Sequence, residues 1–451
     1  LKRYQLAAGG VTAIALCLSM PAYAQAPPDL SSLRKDIDTL RHEYESKITD
    51  LEARLARAEA DAAAARKEAA LATASASAAP DQVPVPEQVS APAAPTSNNA
   101  FNPGIAVALN GLAVASNHDL TPTAIPGFAT GGDIGGPQRG FSLGESEVSF
   151  AANIDPSLAA FFDFALDDNS NISLEEAYIR STALPGGFTI KAGRFLSGIG
   201  YLNERHAHDW SFADAPLPYK AFLNTQLGDD GVQVRWIAPV DQYLEFGAEA
   251  FRGDAFPAGG AENNGAGSYS LFARTGSDID ASSSYLAALS YLHSSSDNRA
   301  TATDLFTGDS NLGIASVVYK WAPGGNAVNK NLTLSGEFFY GLEEGHFNRL
   351  KLSQSHTGWY LQGVYQFMPM WSLGLRLAGL DSADPGAAFA GTVLDDLGHT
   401  PLSASALLEL DTSEFGRLRL QYTHDQSTLQ DNDSLTLQYT VIYGPHGAHR
   451  Y

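Results

Sequence analysis

The sequence predicts an all-β fold: a transmembrane antiparallel β-barrel of about 16 strands, preceded by an N-terminal α-helical coiled coil. Three observations predict it. From Phe101 onward, apolar and polar residues alternate with period two, as in strands with one apolar and one wet face. The alternating segments are each near the ten or so residues that a tilted strand needs to cross a bilayer. The connections between them are by turns short and long, as they are at the two rims of a barrel.

The elements follow in order. Leu1, Lys2 and Arg3 give a basic start, residues 6–20 are apolar or small, and Ala22-Tyr23-Ala24 is an A-x-A cleavage site. Residues 1–24 therefore read as a secretory signal peptide. The single cysteine, Cys17, falls inside it, so thiol catalysis, disulfides and thiolate metal sites are excluded from the mature chain. In residues 25–68, Leu30, Leu33, Ile37, Leu40, Tyr44, Ile48, Leu51, Leu55, Ala58 and Ala62 recur at spacings of three and four. That is a heptad seam with one stutter, and so narrow a stripe calls for partner helices. The competing reading is a lone amphipathic helix laid on the rest of the protein. Residues 69–100 are rich in Ala, Ser and Pro and read as a semi-extended linker.

Residues 101–451 carry the strands. Leu158, Ala160, Phe162, Phe164 and Leu166 share one face, with Asp163 and Asp167 on the other. Leu418, Leu420 and Tyr422 oppose Arg417, Arg419 and Gln421 in the same way. One expected strand covers 142–154. Long connections are expected at 117–141, 198–230, 253–267, 294–310, 343–355 and 381–400, and the short turns fall on the opposite rim with both chain ends. Tyr243, Trp321, Phe367, Trp371 and Tyr443 fall near strand ends, as an interfacial girdle would. A β-sandwich is the soluble alternative. Its apolar faces would be buried in protein, whereas a barrel turns them to lipid and keeps a polar lumen.

Particular segments carry a resemblance. Phe101-Asn102-Pro103-Gly104-Ile105, the run from Gly140 to Glu147, Glu175-Glu176-Ala177-Tyr178, Ala192-Gly193-Arg194-Phe195 and the run from Gly200 to Trp210 are similar to a proteobacterial group of porin-like outer-membrane proteins. That group is sometimes labelled zinc-regulated or TonB-dependent-receptor-like. In layout the chain also resembles phosphate-selective and carbohydrate porins. The resemblance implies an outer-membrane barrel with its N-terminal segment in the periplasm, a homotrimer, and passage of small hydrophilic solutes. TonB-dependent receptors close about 22 strands around a folded plug; the chain after Ala100 is too short for that, which argues for a passive channel.

Charge refines the expectation. The chain has 28 Lys plus Arg against 50 Asp plus Glu, a formal net charge of -22, which excludes nucleic acid as a partner. An acidic rim concentrates cations, so cations are expected to be favoured. The longest connection, 198–230, carries Glu204, Arg205, His206, His208, Asp209, Asp214 and Lys220. This mixture suits a constriction loop folded into the lumen; the alternative is a solvated surface loop. Arg235, Arg376, Arg417 and Arg419 oppose apolar neighbours and should face the lumen, either as a basic ladder or braced by carboxylates. His206 and His208 form an H-x-H pair, which on an extended segment places both imidazoles on one side. That is a candidate zinc site at the mouth of a metal-uptake channel or receptor, transiently occupied by Zn2+, or else a pair of hydrogen-bonding residues. No resident cofactor is expected. G-x-S-x-G, H-E-x-x-H and P-loop motifs are missing, so no enzyme is expected. The remaining alternative is a structural tether or adhesion barrel, with the coiled coil reaching toward peptidoglycan.

Overall fold

A computed structural model describes residues 103–444 except 120–123, 133, 168–170, 260–264 and 302–303. The expected signal peptide, coiled coil and linker lie outside the described residues.

One antiparallel sheet closes on itself. Its segments are β1 Gly104–Ser116, β2 Gly140–Ser142, β3 Ser146–Asp155, β4 Leu158–Leu166, β5 Ile172–Ser181, β6 Phe188–Leu196, β7 Gly228–Ile237, β8 Tyr243–Phe251 and β9 Ser268–Asp280, continuing with β10 Ser283–Thr301, β11 Asp304–Trp321, β12 Asn331–Phe347, β13 Leu350–Met368, β14 Trp371–Ser382, β15 Leu402–Ser413, β16 Gly416–Gln426 and β17 Asn432–Tyr443. Each pairs with its neighbours in the chain, and β17 returns to β1 from Val107↔Tyr443 to Ser116↔Ser434. β2 and β3 both pair with β1 and share one place in the ring, giving a 16-strand barrel. The strand expected at 142–154 is therefore interrupted. Gly144 takes φ 56°, and Asn110 replaces the lost ladder by donating from its backbone N–H to Ser146 Oγ (3.1 Å) and from Nδ2 to Glu145 O (2.6 Å).

The packing is inside out relative to a water-soluble protein. Leu271, Leu289, Leu361, Leu375 and Tyr439 are exposed on the outer face. The alternate residues, among them Gln233, Glu249, Ser290, Glu337, Gln362, Arg376, Arg419 and Gln438, are buried. Apolar out and polar in is the pattern a lipid-facing barrel requires. It removes the sandwich reading, in which these faces would be exchanged.

Two expected long connections are strand instead. β10 continues to Thr301 and β11 starts at Asp304, while β12 and β13 stay paired to Phe347↔Leu350. Segments such as Ser294-Ser295-Ser296-Asp297 and Glu343-Glu344 read as loop because they lack an apolar face. Their outer faces are polar, and their inner faces are covered by the connections: Phe306, Phe347 and Leu352 pack with Ala129, Phe389 and Leu394. Of the five aromatics expected as a girdle, Trp321, Phe367, Trp371 and Tyr443 lie in register with the outward residues at the short-turn rim. Tyr243 faces inward with Glu245, to which its hydroxyl donates.

Candidate functional site: the lumenal segment and its anchors

Residues 197–227 join β6 to β7 and fold into the lumen. Asn203 closes the neck of the segment. Its Nδ2 donates to Ser197 O and Leu227 O (2.8 and 2.9 Å), and Leu227 N–H donates to its Oδ1 (2.7 Å). The segment contains one short helix, α1 (Leu217–Leu223), introduced by Pro216 and ended by Asn224 in the left-handed conformation. α1 buries Leu217, Tyr219, Phe222 and Leu223 in one apolar cluster with Leu292, Leu312, Ile314, Phe339 and Leu380 of the facing wall. Phe222 stacks on Phe339 at 5.7 Å between centroids. Its ring sits over Gly341 and Gly358, on neighbouring strands, where a Cβ at either would come within 2.8 Å of it. The ring fits because both positions are glycine.

Polar groups finish the attachment. Glu337 on β12 accepts from Tyr201 N–H, Tyr219 Oη and Tyr360 Oη, each at 2.7 Å. Burial, followed by the Glu337 charge, pushes the Tyr219 phenol well above its ordinary pKa. Glu204 meets two guanidiniums, Arg235 at 2.5 Å and Arg274 at 2.8 Å. Burial would raise its carboxyl, but the two arginines outweigh that and hold it well below the usual range. Asp214 is held by Arg376 (2.5 Å), Lys220 (3.0 Å) and Gln421 (2.8 Å). Its pKa also falls, because Arg376 and Lys220 outweigh burial. Arg417 donates to the carbonyl of His208, and Arg419 to that of Trp210 (2.8 Å) and to Glu409 (3.1 Å). Arg205 lies over the Tyr201 ring at 4.3 Å.

The four arginines expected in the lumen thus grip the 197–227 segment and form no free ladder. The wall carboxylates that brace them are Glu245 and Glu409. Arg274 does the same work and was not singled out by sequence. It sits in a strand whose alternation is weak at that point, Phe272-Ala273-Arg274-Thr275.

The two histidines share one wall carboxylate and differ in their other partners. The chain enters a tight turn at Ala207–Asp209 directly after His206, so the pair is not on an extended segment, yet both Nδ1 atoms face Glu147. Their rings lie 5.7 Å apart. His208 Nδ1 contacts Glu147 Oε1 at 2.8 Å and its Nε2 faces Asp209 at 3.7 Å. His206 instead meets a cluster of wall carboxylates. Its Nδ1 lies 3.1 Å from Glu147 Oε2, 3.2 Å from Asp163 Oδ2 and 3.4 Å from Glu175 Oε2; its Nε2 lies 3.1 Å from Glu176 Oε2. Burial disfavours the imidazolium, but Glu147, with Glu175 and Glu176, outweighs it and raises the His206 pKa well above its ordinary value.

A β-bulge builds this cluster. Asp163 pairs with Glu176 and Phe164 with Leu174, so Glu175 is the extra residue. Strict alternation would send Glu175 to lipid; the bulge turns both glutamates inward. The adjacent acids Glu175-Glu176 inside an alternating strand were the sequence sign of it. Asp163 carried no sign beyond its place on the polar face.

A cavity of ≈ 520 Å3 lies on the long-connection side of the segment. It is lined by Asp119, Asp214, Asp395 and Asp425 together with Lys220 and His118.

No protein-family model matches the chain. An uncharacterized protein of Aquifex aeolicus (strain VF5) is 28% identical over 393 residues, which cover 79% of this chain and 81% of that protein. Among solved structures, an anion-selective porin from Comamonas acidovorans superposes with a TM-score of 0.50 at 8% identity, over 76% of this chain and 99% of that one. An outer-membrane protein of Vibrio cholerae, OmpT with its loop L8 deleted, gives 0.48 at 12% identity, over 76% of this chain and 100% of that one. The first of these likenesses supports the barrel fold and nothing finer.

Proposed function

We propose that this protein is an outer-membrane porin through which small hydrophilic solutes diffuse passively, with cations favoured over anions. The observation that carries the reading is the lumen itself. A structural tether needs only a lipid-facing exterior, and nothing in that role calls for a wall of buried charged and amide side chains with a chain segment folded across it. Mixed charge at the narrowest part of a lumen sets the field that selects ions. Glu204, Arg205, Asp214 and Lys220 provide it, beside His206, His208 and Asp209. The cation preference is supported by the acidic lining of the ≈ 520 Å3 cavity, where four aspartates face one lysine. The anion selectivity in the name of the Comamonas porin does not transfer, because selectivity follows side chains and few are shared. The reading includes a homotrimer, with the segment before Phe101 in the periplasm, and a channel without enzymatic activity.

Single-channel recording in a planar bilayer under a KCl gradient tests it. A stable conductance with a cation-signed reversal potential is expected. An anion-signed potential would overturn the cation preference. No conductance would overturn the pore and favour the tether. Cross-linking in detergent should give three chains; one chain would overturn the trimer.

A further inference from the structure

We propose that Glu147, Asp163, Glu175 and His206 bind one divalent transition-metal ion where the lumenal segment meets the β3–β5 wall. The inference stands apart from the pore reading and does not rest on it.

One donor atom from each of these residues lies within 4.8 Å of all the others. The distances from His206 Nδ1 to its three carboxylate oxygens are 3.1, 3.2 and 3.4 Å. Ligand atoms bound to one ion at about 2.1 Å sit roughly 3.0–3.4 Å apart in octahedral or tetrahedral arrangements. The three distances from His206 Nδ1 match that range.

Hydrogen bonding does not account for the cluster. His206 Nδ1 is buried and makes no hydrogen bond to any of the three oxygens, because it points between them. Asp163 is 1% exposed, and its Oδ1 also lacks a hydrogen-bond partner. A neutral imidazole would aim a lone pair at three anions. A protonated one offers a single N–H to all three and aligns with none. A buried carboxylate left in this state is costly unless it takes up a proton or recruits a cation.

The surroundings are those of a metal ligand set. Glu176 Oε2 takes the Nε2 side of His206 at 3.1 Å, the carboxylate–histidine arrangement that orients a ligating imidazole. His208 contacts the second oxygen of Glu147 at 2.8 Å and fixes that carboxylate in turn. Glu147 and Asp163 are buried, while Glu175 and His206 are half-buried, so the site has a wet edge through which an ion enters. Three carboxylate oxygens and one imidazole, with water completing the shell, suit zinc, cobalt, manganese or ferrous iron. The imidazole disfavours calcium and magnesium, which take oxygen throughout. Bound there, the ion ties His206 to three strands and locks one side of the lumenal segment.

The test is equilibrium dialysis of the refolded full chain against Zn2+ and, separately, Co2+, with metal quantified per chain. One ion per chain is expected, with visible ligand-field bands from bound Co2+. Asp163→Asn and Glu175→Gln should each lose it by at least 100-fold. Glu176→Gln should weaken it by roughly 10–100-fold, as the loss of an orienting partner does. Glu175 is part-exposed, so its variant keeps the test valid if Asp163→Asn fails to fold. Wild-type protein that binds neither ion would overturn the site, as would unchanged binding by Glu175→Gln. Conductance without metal binding sinks the site alone; metal binding without conductance sinks the pore alone.

Discussion

The lumenal segment is held by the wall in two opposite ways. Toward β7–β9 and β14–β16, wall cations meet loop anions and carbonyls: Arg235 and Arg274 hold Glu204, Arg376 holds Asp214, and Arg419 holds the carbonyl of Trp210. Toward β3–β5 the signs are reversed and the count does not balance. Four wall carboxylates meet His206, with His208 beside it and the Lys191 charge acting on Glu176. In the first region Glu204, Asp214 and Glu409 each have an arginine within hydrogen-bond reach. In the second, His206 Nδ1 and Asp163 Oδ1 are buried without hydrogen-bond partners, and that is the gap the proposed ion would fill. A loop can therefore be pinned permanently on one side and conditionally on the other, and the difference lies in which partner the wall supplies.

The largest expected effect breaks the arginine side. Arg419 is 1% exposed, and Arg419→Met leaves Glu409 and the Trp210 carbonyl short of a donor. Breaking a buried charge pair costs about 3 kcal/mol or more; the low end applies because Arg417 still lies 3.6 Å from Glu409. Urea unfolding in lipid vesicles measures it, and single-channel current should become noisier as the segment loosens. Next comes Tyr219→Phe, which removes one of the donors to Glu337 and the acceptor of the Leu202 N–H at no cost in ring packing. A hydrogen bond to a charged group contributes about 1.5–3 kcal/mol, so a loss in that range is expected by the same assay. An unchanged midpoint would mean that the apolar seat of Phe222, and not Glu337, holds α1.

How much of this was legible follows from the same contrast. The arginine side could be read from sequence because alternation is intact there: Arg417 and Arg419 between apolar neighbours had to face inward, and Asp214 and Glu204 lay in the longest connection. What each arginine would hold was not legible, since it depends on how residues 197–227 cross the barrel. The carboxylate cluster was not legible, and for a local reason. One extra residue at Glu175 reverses the parity of β5, and His206 and His208 meet on Glu147 across a tight turn and not along an extended edge. Neither shows in a count of alternating residues. The strand extensions at 294–310 and 343–355 were hidden because their outer faces are polar and much of the buried inner face is polar too, such as Ser294, Ser296, Arg299 and Gln354.

A smaller effect sharpens the comparison from the other side. In metal-free protein, Glu175→Gln removes one of several crowded like charges at a part-exposed position. Stability should stay within about 0.5 kcal/mol of wild type or rise slightly. The same kind of change at Asp214, whose opposite charges are in place, should destabilise. If Glu175→Gln in the presence of a chelator cost as much as Arg419→Met, the two sides would be equivalent, and the cation deficit would be no deficit at all.

The smallest effect is expected from acid, and its sign is fixed by Asp214. Its folded pKa is depressed, chiefly by Arg376 and Lys220 overcoming burial. A group shifted in that direction stabilises the fold fully above its unfolded pKa, near 3.9, and loses the contribution only as pH falls through the lower folded value. From neutral pH to about 4 the Asp214–Arg376 clamp should therefore hold unchanged. Conductance noise arising near Asp214 should appear only in stronger acid, and Asp214→Asn should show that noise already at neutral pH. An Asp214-dependent change in current between pH 7 and 5 would mean that the clamp titrates like an ordinary exposed carboxylate, and that the arginine side is no more settled than the carboxylate side it is compared with.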